Sequence, residues 1–102
     1  MMLWRGKRES VRVTREITIS NIHGFHARPA AEFVRKANSY RSEITLTRNG
    51  ERFSGTSLMD LLRGQFECGA IATLEANGPD ANDAVDALCK LLEKLRDQEA
   101  AG

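Results

Sequence analysis

The sequence has little cysteine and no long apolar run. Two of its 102 residues are cysteines, Cys68 and Cys89, and they lack the close spacing of a metal site. We therefore expect both to be small buried side chains in a reducing cytosol, with no disulfide. No apolar run approaches the ~20 residues that a transmembrane helix requires, and the N-terminus has no hydrophobic stretch of signal-peptide length. These absences predict a cytoplasmic protein without a membrane partner.

An excess of charge of either sign is also absent. The 15 Lys and Arg residues stand against 14 Asp and Glu residues, which gives a formal net charge of +1. So weak a global field does not favour nucleic acid or anionic lipid as a partner. The length fits one domain with its own core, which we assign to 11–98. The cation-rich segment 1–10 is predicted to be a flexible arm, and 99–102 a frayed C-terminus.

Hydrophobic periodicity predicts the element order β-α-β-β-α-β-α. Alternating apolar residues indicate four strands, near 11–20, 42–47, 52–55 and 70–76. Helical spacing indicates three helices, which begin near Pro29, Ser57 and either Asp80 or Asn82. Asn49 and Gly50 favour a tight hairpin turn between the second and third strands. Because three helices can cover one face of such a sheet, we expect an α+β open-faced two-layer β-sandwich with a mostly antiparallel sheet.

The segment 24–31 combines three features that phosphoryl transfer needs. His26 stands just before a predicted helix, where backbone N–H groups and the helix dipole favour an anion, and its neutral imidazole is a nucleophile. Arg28 supplies a planar set of donors for phosphate oxygens. Gly24 allows a close turn that leaves the ring accessible. The spacing alone also fits the commoner alternative, in which His26 is a cap or surface residue.

This segment resembles the active-site signature of HPr, the histidine-containing phosphocarrier protein of the bacterial sugar phosphotransferase system. In that family a Gly-aliphatic-His-(Ala or Thr)-Arg-Pro-Ala run opens the first helix. The similarity extends from about Val13 to Leu95, and the predicted element order agrees with the HPr fold. A second motif, 57–59, stands where the family has a regulatory serine followed by two apolar residues.

The resemblance implies a role for each residue of the two motifs. His26 would receive a phosphoryl group on its δ1 nitrogen from phosphorylated enzyme I, and Arg28 would help to hold the group before it passes to an IIA-type domain. Ser57 would be the residue that the ATP-dependent HPr kinase/phosphorylase phosphorylates. Independently of the resemblance, Ser57 followed by Asp60 three residues later fits a capping box at the start of the helix. The protein would act as a monomeric carrier without a cofactor or metal.

The short helix near 57–63 carries more apolar residues than one buried face needs. Leu61 or Leu62 is expected in the core, and the remainder is expected to form an exposed docking patch beside His26. Met59 is the strongest candidate for a contact because its flexible side chain adapts to several partners. The predicted partner-binding residues are Phe25, Leu58, Met59, Asp60 and Leu62.

The sequence departs from the family pattern at three positions. Asp60 places a carboxylate inside the apolar patch, which is expected to weaken or redirect contacts with acidic partners. His23 stands where small polar residues are usual, and a metal shared with His26 is a minor alternative because no third ligand is evident. Phe25 replaces the usual Leu or Ile.

Two other functions therefore stay open. The first is a chiefly regulatory protein that acts through phosphorylation of Ser57 or His26 without sugar transport. The second is an interaction module in which His26 is structural.

Overall fold

A computed structural model describes residues 11–21 and 23–101, so the predicted arm at 1–10 lies outside the described residues. Within them the chain forms the predicted order of strands and helices. These elements are β1 (Val11–Thr18), α1 (Ala27–Asn38), β2 (Glu43–Arg48), β3 (Glu51–Ser54), α2 (Leu58–Arg63), β4 (Ile71–Gly78) and α3 (Ala81–Ala101). The backbone of α3 is helical through Ala101 and thus includes most of the segment that the sequence predicts to fray.

The strands within the described residues form a four-stranded sheet in the order β1-β4-β2-β3, and each neighbouring pair is antiparallel. The predicted hairpin between β2 and β3 is confirmed. Asn49 and Gly50 have φ values of 52° and 80°, which are the positive angles that a two-residue primed turn requires.

Strand β4 is longer than the sequence predicts. The sequence predicts a strand near 70–76, whereas Gly78 is still paired with Val11 of β1. Alternation along β4 buries Leu74 against the helices and leaves Ile71 55% exposed on the opposite face. These two apolar residues are three positions apart, so the pleat directs them to opposite sides of the sheet.

The core lies between one face of the sheet and the three helices. Each helix contributes fully buried side chains, among them Phe33 of α1, Leu61 of α2 and Leu88 of α3. The apolar residues that recur at helical spacing along α3 are all buried, at Ala84, Val85, Leu88, Leu91, Leu92 and Leu95. The other face of the sheet is open, and the predicted α+β open-faced sandwich is confirmed.

The two cysteines differ in their surroundings. Cys68 and Cys89, both in the described part of the chain, are free thiols. Cys89 is half-buried on α3, but Cys68 is exposed in the loop between α2 and β4, so the expectation that both are buried is wrong for Cys68. None of the helices in the described residues is long and apolar enough to cross a membrane.

Candidate functional site

His26 occupies the N-cap position of α1. Its backbone is extended, with φ −79° and ψ −174°, and its carbonyl oxygen accepts the N–H of Ala30 over 3.1 Å. The imidazole is exposed and forms no side-chain cap hydrogen bond within the described part of the chain. The ring of His23 stands edge-on to it, with 6.2 Å between ring centroids. His26 therefore has the position of a cap residue without using its side chain as the cap.

The first turn of α1 is suited to receive an anion. Residues 27–30 include no carboxylate that would neutralise the positive end of the helix dipole. Helix geometry leaves the backbone N–H groups of Ala27 and Arg28 without intrahelical acceptors. Pro29, the third residue of the helix, has no N–H to offer. Two backbone donors thus remain beside His26.

Arg28 projects into solvent next to this turn. Its side chain is 82% exposed, and its Nε lies 3.9 Å from Oε2 of Glu32, one helical turn further on. An ion pair of this kind on a helix surface contributes little stability, about 0.5 kcal/mol or less. The guanidinium can therefore turn toward an anion at His26 at small energetic cost.

Gly24 allows the loop before His26 to approach the loop after α2. Its φ is +64°, an angle that residues with a side chain rarely adopt. A Cβ at this position would lie 2.7 Å from Cα of Glu67 and closer still to the carbonyl oxygen of Phe66. The close approach expected from the sequence is confirmed, and it is made against backbone atoms that cannot easily move aside.

The side chain of Phe25 packs the loop before His26 onto the core. Its side chain is 5% exposed and packs edge-on against the rings of Phe33 and Phe66, with centroid distances of 5.4 and 6.0 Å. Little of the ring reaches the surface, so Phe25 contributes to the core, and its predicted contact with a partner stays a prediction. The larger ring at this position fills space between α1 and the loop after α2.

His26 and Arg28 border a cleft that the sequence analysis did not identify. Its volume is about 380 Å³, and its lining residues are Asn21, His26, Arg28, Pro29, Leu95 and Gln98. Leu95 and Gln98 belong to the last turns of α3, which form the wall opposite α1. No local pattern predicts this wall, because α3 reaches the site only through the tertiary fold.

Ser57 caps α2 as predicted. Its Oγ accepts the N–H of Asp60 over 3.2 Å. The reciprocal bond of a capping box is not made, because Oδ2 of Asp60 accepts the N–H of Ser54 over 2.9 Å instead. Oδ1 of Asp60 also lies 3.7 Å from Nη2 of Arg63. The Asp60 carboxylate is therefore half-buried and partly neutralised, rather than a bare charge within the apolar patch.

The apolar residues of α2 divide between core and surface. Leu61 is fully buried, and Leu58 packs partly against the core. Met59 is 75% exposed and Leu62 is 37% exposed. The helix packs on α1, whose first turn carries His26 and Arg28. Met59 and Leu62, with the accessible edge of Leu58, are called the α2 patch below.

The two histidines do not lie in a metal-binding cluster. Among the residues that the structure describes, no group of three or more His, Cys, Asp and Glu side chains is arranged to hold a metal ion. The site therefore consists of the α1 N-terminus with His26 and Arg28, the adjoining cleft, and the α2 patch.

Comparison with known proteins connects these features to one family. The profile of the family described as "PTS HPr component phosphorylation site" matches residues 13–94. Phosphocarrier protein HPr of Vibrio cholerae is 41% identical over 80 residues, which cover 78% of this chain and 92% of that protein. The HPr-like protein Crh of Halalkalibacterium halodurans is 34% identical over 82 residues, covering 80% and 98%. The crystal structure of HPr-C-His from Thermoanaerobacter tengcongensis superposes with a TM-score of 0.79 at 32% identity, covering 82% of this chain and 94% of that one. The chain belongs to the HPr family of phosphocarrier proteins of the phosphotransferase system.

Proposed function

We propose that this protein accepts a phosphoryl group on His26 from phosphorylated enzyme I and passes it to IIA-type domains. The observation that carries the proposal is an exposed imidazole at the N-cap of α1, before a first turn without a carboxylate. Membership of the phosphocarrier family supports the same role. In this scheme the protein is a cytoplasmic monomer with no cofactor and no sugar substrate of its own.

The transfer step needs a nucleophile and a set of donors. The lone pair of Nδ1 of neutral His26 attacks phosphorus, and the bond from phosphorus to the donor group on enzyme I breaks as the new P–N bond forms. The backbone N–H groups of Ala27 and Arg28 and the Arg28 guanidinium then face the phosphoryl oxygens. The two backbone donors are already in place before transfer, and only the Arg28 side chain must turn toward the phosphoryl group, so little reorganisation is needed when the charge arrives.

The α2 patch supports docking of both partners. Met59 and Leu62 expose apolar surface on a helix that packs on α1, and exposed apolar surface of this kind commonly marks a protein contact. A flexible Met at the most exposed position suits a surface that meets enzyme I and an IIA domain in turn. The two encounters then use one surface, and the phosphoryl group enters and leaves on the same side.

The proposal is tested by incubating the protein with enzyme I and labelled phosphoenolpyruvate. We expect incorporated label that is stable in base and labile in acid, as a phosphohistidine is, and its complete loss in His26→Ala. The matched control is His23→Ala, which removes the neighbouring exposed histidine and should keep the label. Absence of label with any cognate donor would contradict the proposal, as would label that survives in His26→Ala.

A regulatory role at Ser57 is the second candidate, and it is favoured by similarity to Crh of Bacillus subtilis, which is described as a catabolite repression HPr. Ser57 is half-buried beside the α2 patch, next to Asp60. A phosphate on its Oγ would add up to about two negative charges there. This charge would add to that of the Asp60 carboxylate and make the surface more negative. We therefore expect the phosphate to repel an acidic partner and to leave the fold unchanged.

This second role is tested with HPr kinase/phosphorylase and ATP. We expect label in the wild-type protein and its loss in Ser57→Ala. The control is Thr56→Ala, which removes the adjacent exposed hydroxyl and should leave the label in place. Label that persists in Ser57→Ala, or no label at all, would refute the regulatory role without affecting the role of His26.

A further inference from the structure

Asn21 carries a buried hydrogen-bond donor that has no partner in the described part of the chain. The residue is 1% exposed, and its Nδ2 has no acceptor among the residues that the structure describes. Leaving such a group unpaired destabilises the folded chain, and proteins satisfy most of their buried polar groups. We therefore expect this unpaired donor to have a function that compensates for the stability it loses.

The backbone holds Asn21 firmly at the start of the loop that leads to His26. Its carbonyl oxygen accepts the N–H of Gly24 over 2.9 Å, which closes the turn. Two residues earlier, the backbone of Ile19 is bonded to the loop between α2 and β4. Its N–H donates to the carbonyl oxygen of Ala70 over 2.8 Å, and its carbonyl oxygen accepts the N–H of Gly69 over 2.7 Å. The backbone at Asn21 is thus held on both sides without a hydrogen bond from the side-chain amide.

The position of Asn21 connects this donor to the site. Asn21 lines the 380 Å³ cleft together with His26 and Arg28. A phosphoryl group has three strong acceptor oxygens. The first turn of α1 offers two backbone donors, because Pro29 has no N–H where a third would otherwise stand. A further donor in the same cleft would complete the set.

We infer that the side-chain amide of Asn21 donates a hydrogen bond to a phosphoryl oxygen on phosphorylated His26. The inference rests on the proposed function and identifies a further phosphoryl-binding residue for it. Asn21 follows β1 and Arg28 lies in α1, so two different segments of the chain would supply side-chain donors to the phosphoryl group. The donor that is orphaned in the unphosphorylated protein gains its acceptor when the phosphoryl group arrives.

The structure also supplies a matched control. Thr45 carries the other buried side-chain atom without a partner in the described residues, its Oγ1, and is 8% exposed. It lies on β2, between the buried Ile44 and Leu46, so it points to the open face of the sheet and does not line the cleft. Thr45→Val removes an orphaned polar atom of the same kind away from His26.

The experiment compares wild-type protein, Asn21→Leu, Asn21→Asp and Thr45→Val. Asn21→Leu keeps the branched shape and removes the donor, whereas Asn21→Asp keeps the shape and adds a negative charge. Each full-length chain is phosphorylated with enzyme I and phosphoenolpyruvate. The rate of transfer and the pKa of the phosphoryl group, read by phosphorus NMR, are measured alongside stability in denaturant.

We expect Asn21→Leu to fold with at least wild-type stability, because an unpaired buried polar group has been removed. Its phosphoryl transfer should be slower by about tenfold or more, the effect of losing one hydrogen bond to a charged group. The pKa of its phosphoryl group should rise, since the lost donor favours the more ionised form. Asn21→Asp should be slower still, and Thr45→Val should match the wild type in both transfer and pKa.

Wild-type transfer and an unchanged phosphoryl pKa in Asn21→Leu would overturn the inference and leave the proposed function standing. An equal loss of transfer in Thr45→Val would also overturn it, because the effect would then follow from packing. Absence of label in the wild-type protein would overturn the proposed function and this inference together.

Discussion

The backbone N–H of Phe25 donates to the carbonyl oxygen of Phe66 over 2.7 Å. This bond joins the loop before His26 to the loop after α2, and the two phenylalanine rings pack edge-on beneath it. A contact between two residues that are far apart in the sequence therefore fixes the position of His26, the candidate phosphoryl acceptor. The contact is close because Gly24 stands next to it without a side chain.

Gly24→Ala should destabilise the fold and slow phosphorylation. The new methyl group would be forced against the backbone of Phe66 and Glu67 at a positive φ, so we expect a loss of about 2–4 kcal/mol in the free energy of unfolding. Urea denaturation measures it. Gly50→Ala is the control, since Gly50 also has a positive φ of 80° but nothing lies within 4 Å of its Cβ position. That control should lose about 1 kcal/mol, and equal losses in the two variants would contradict the close-approach argument.

Arg28→Ala should leave the fold intact and slow phosphoryl transfer by tenfold or more. The side chain is 82% exposed and pairs weakly with Glu32, so the free energy of unfolding should change by about 0.5 kcal/mol or less. The lost guanidinium would no longer stabilise charge on the phosphoryl group. Time courses of phosphoryl transfer, with the reaction quenched at each time point, measure the rate. Glu32→Ala breaks the same ion pair and should retain the wild-type rate, so equal slowing in both variants would refute the role of Arg28.

Ser57→Asp should weaken binding to enzyme I more than it weakens the fold. An Asp side chain still accepts the helix N-cap hydrogen bond, so the stability change should stay within about 0.5 kcal/mol. The added charge next to Asp60 should repel an acidic partner, and titration calorimetry measures the affinity. Thr56→Asp adds the same charge one residue away on an exposed position. Unaltered affinity in Ser57→Asp would argue against a charge-based regulatory switch.

Asp80 should make the free energy of unfolding depend on pH at acidic values, near and below the usual pKa of an aspartate. Its carboxylate accepts the hydroxyl of Ser42 at 2.6 Å and the N–H of Arg41 at 2.9 and 3.1 Å, and these bonds hold the pKa of Asp80 below its usual value of 3.8. A carboxylate with a lowered pKa stabilises the fold above its unfolded-state pKa. That contribution is lost as the pH falls through the lower, folded-state pKa.

Asp80→Asn should therefore cost about 1 kcal/mol at pH 7, and the difference from wild type should shrink as the pH falls below about 4. Thermal melts between pH 7 and pH 2.5 measure this difference. Asp83→Asn, at an exposed position in the first turn of α3, serves as the control. A difference between Asp80→Asn and wild type that stays constant over the whole range would show that the carboxylate charge is not involved.

Periodicity and turn chemistry predicted most of the fold. The strands follow from alternation, the hairpin from Asn49 and Gly50, and the α2 cap from Ser57. The helix stripe of α3 is buried as its spacing predicts. These features depend on residues within a few positions of one another, so a single sequence carries their signal.

The remaining features depend on contacts between distant segments. Phe25 lies in an irregular loop, where no period indicates which way a side chain points, and its burial follows from Phe66 far along the chain. Asp60 bonds to Ser54 instead of completing the capping box, a choice set by the path of β3. The cleft beside His26 unites Asn21 with the end of α3, and only the tertiary fold brings them together.

The most direct test of the central claim is to locate the phosphoryl group after incubation with enzyme I and phosphoenolpyruvate. Mass spectrometry of peptides kept under alkaline conditions preserves a phosphohistidine and identifies the modified residue. We expect one phosphoryl group per chain, on His26. A phosphoryl group on His23 or Ser57, or an unmodified chain with a donor that phosphorylates other HPr proteins, would contradict it.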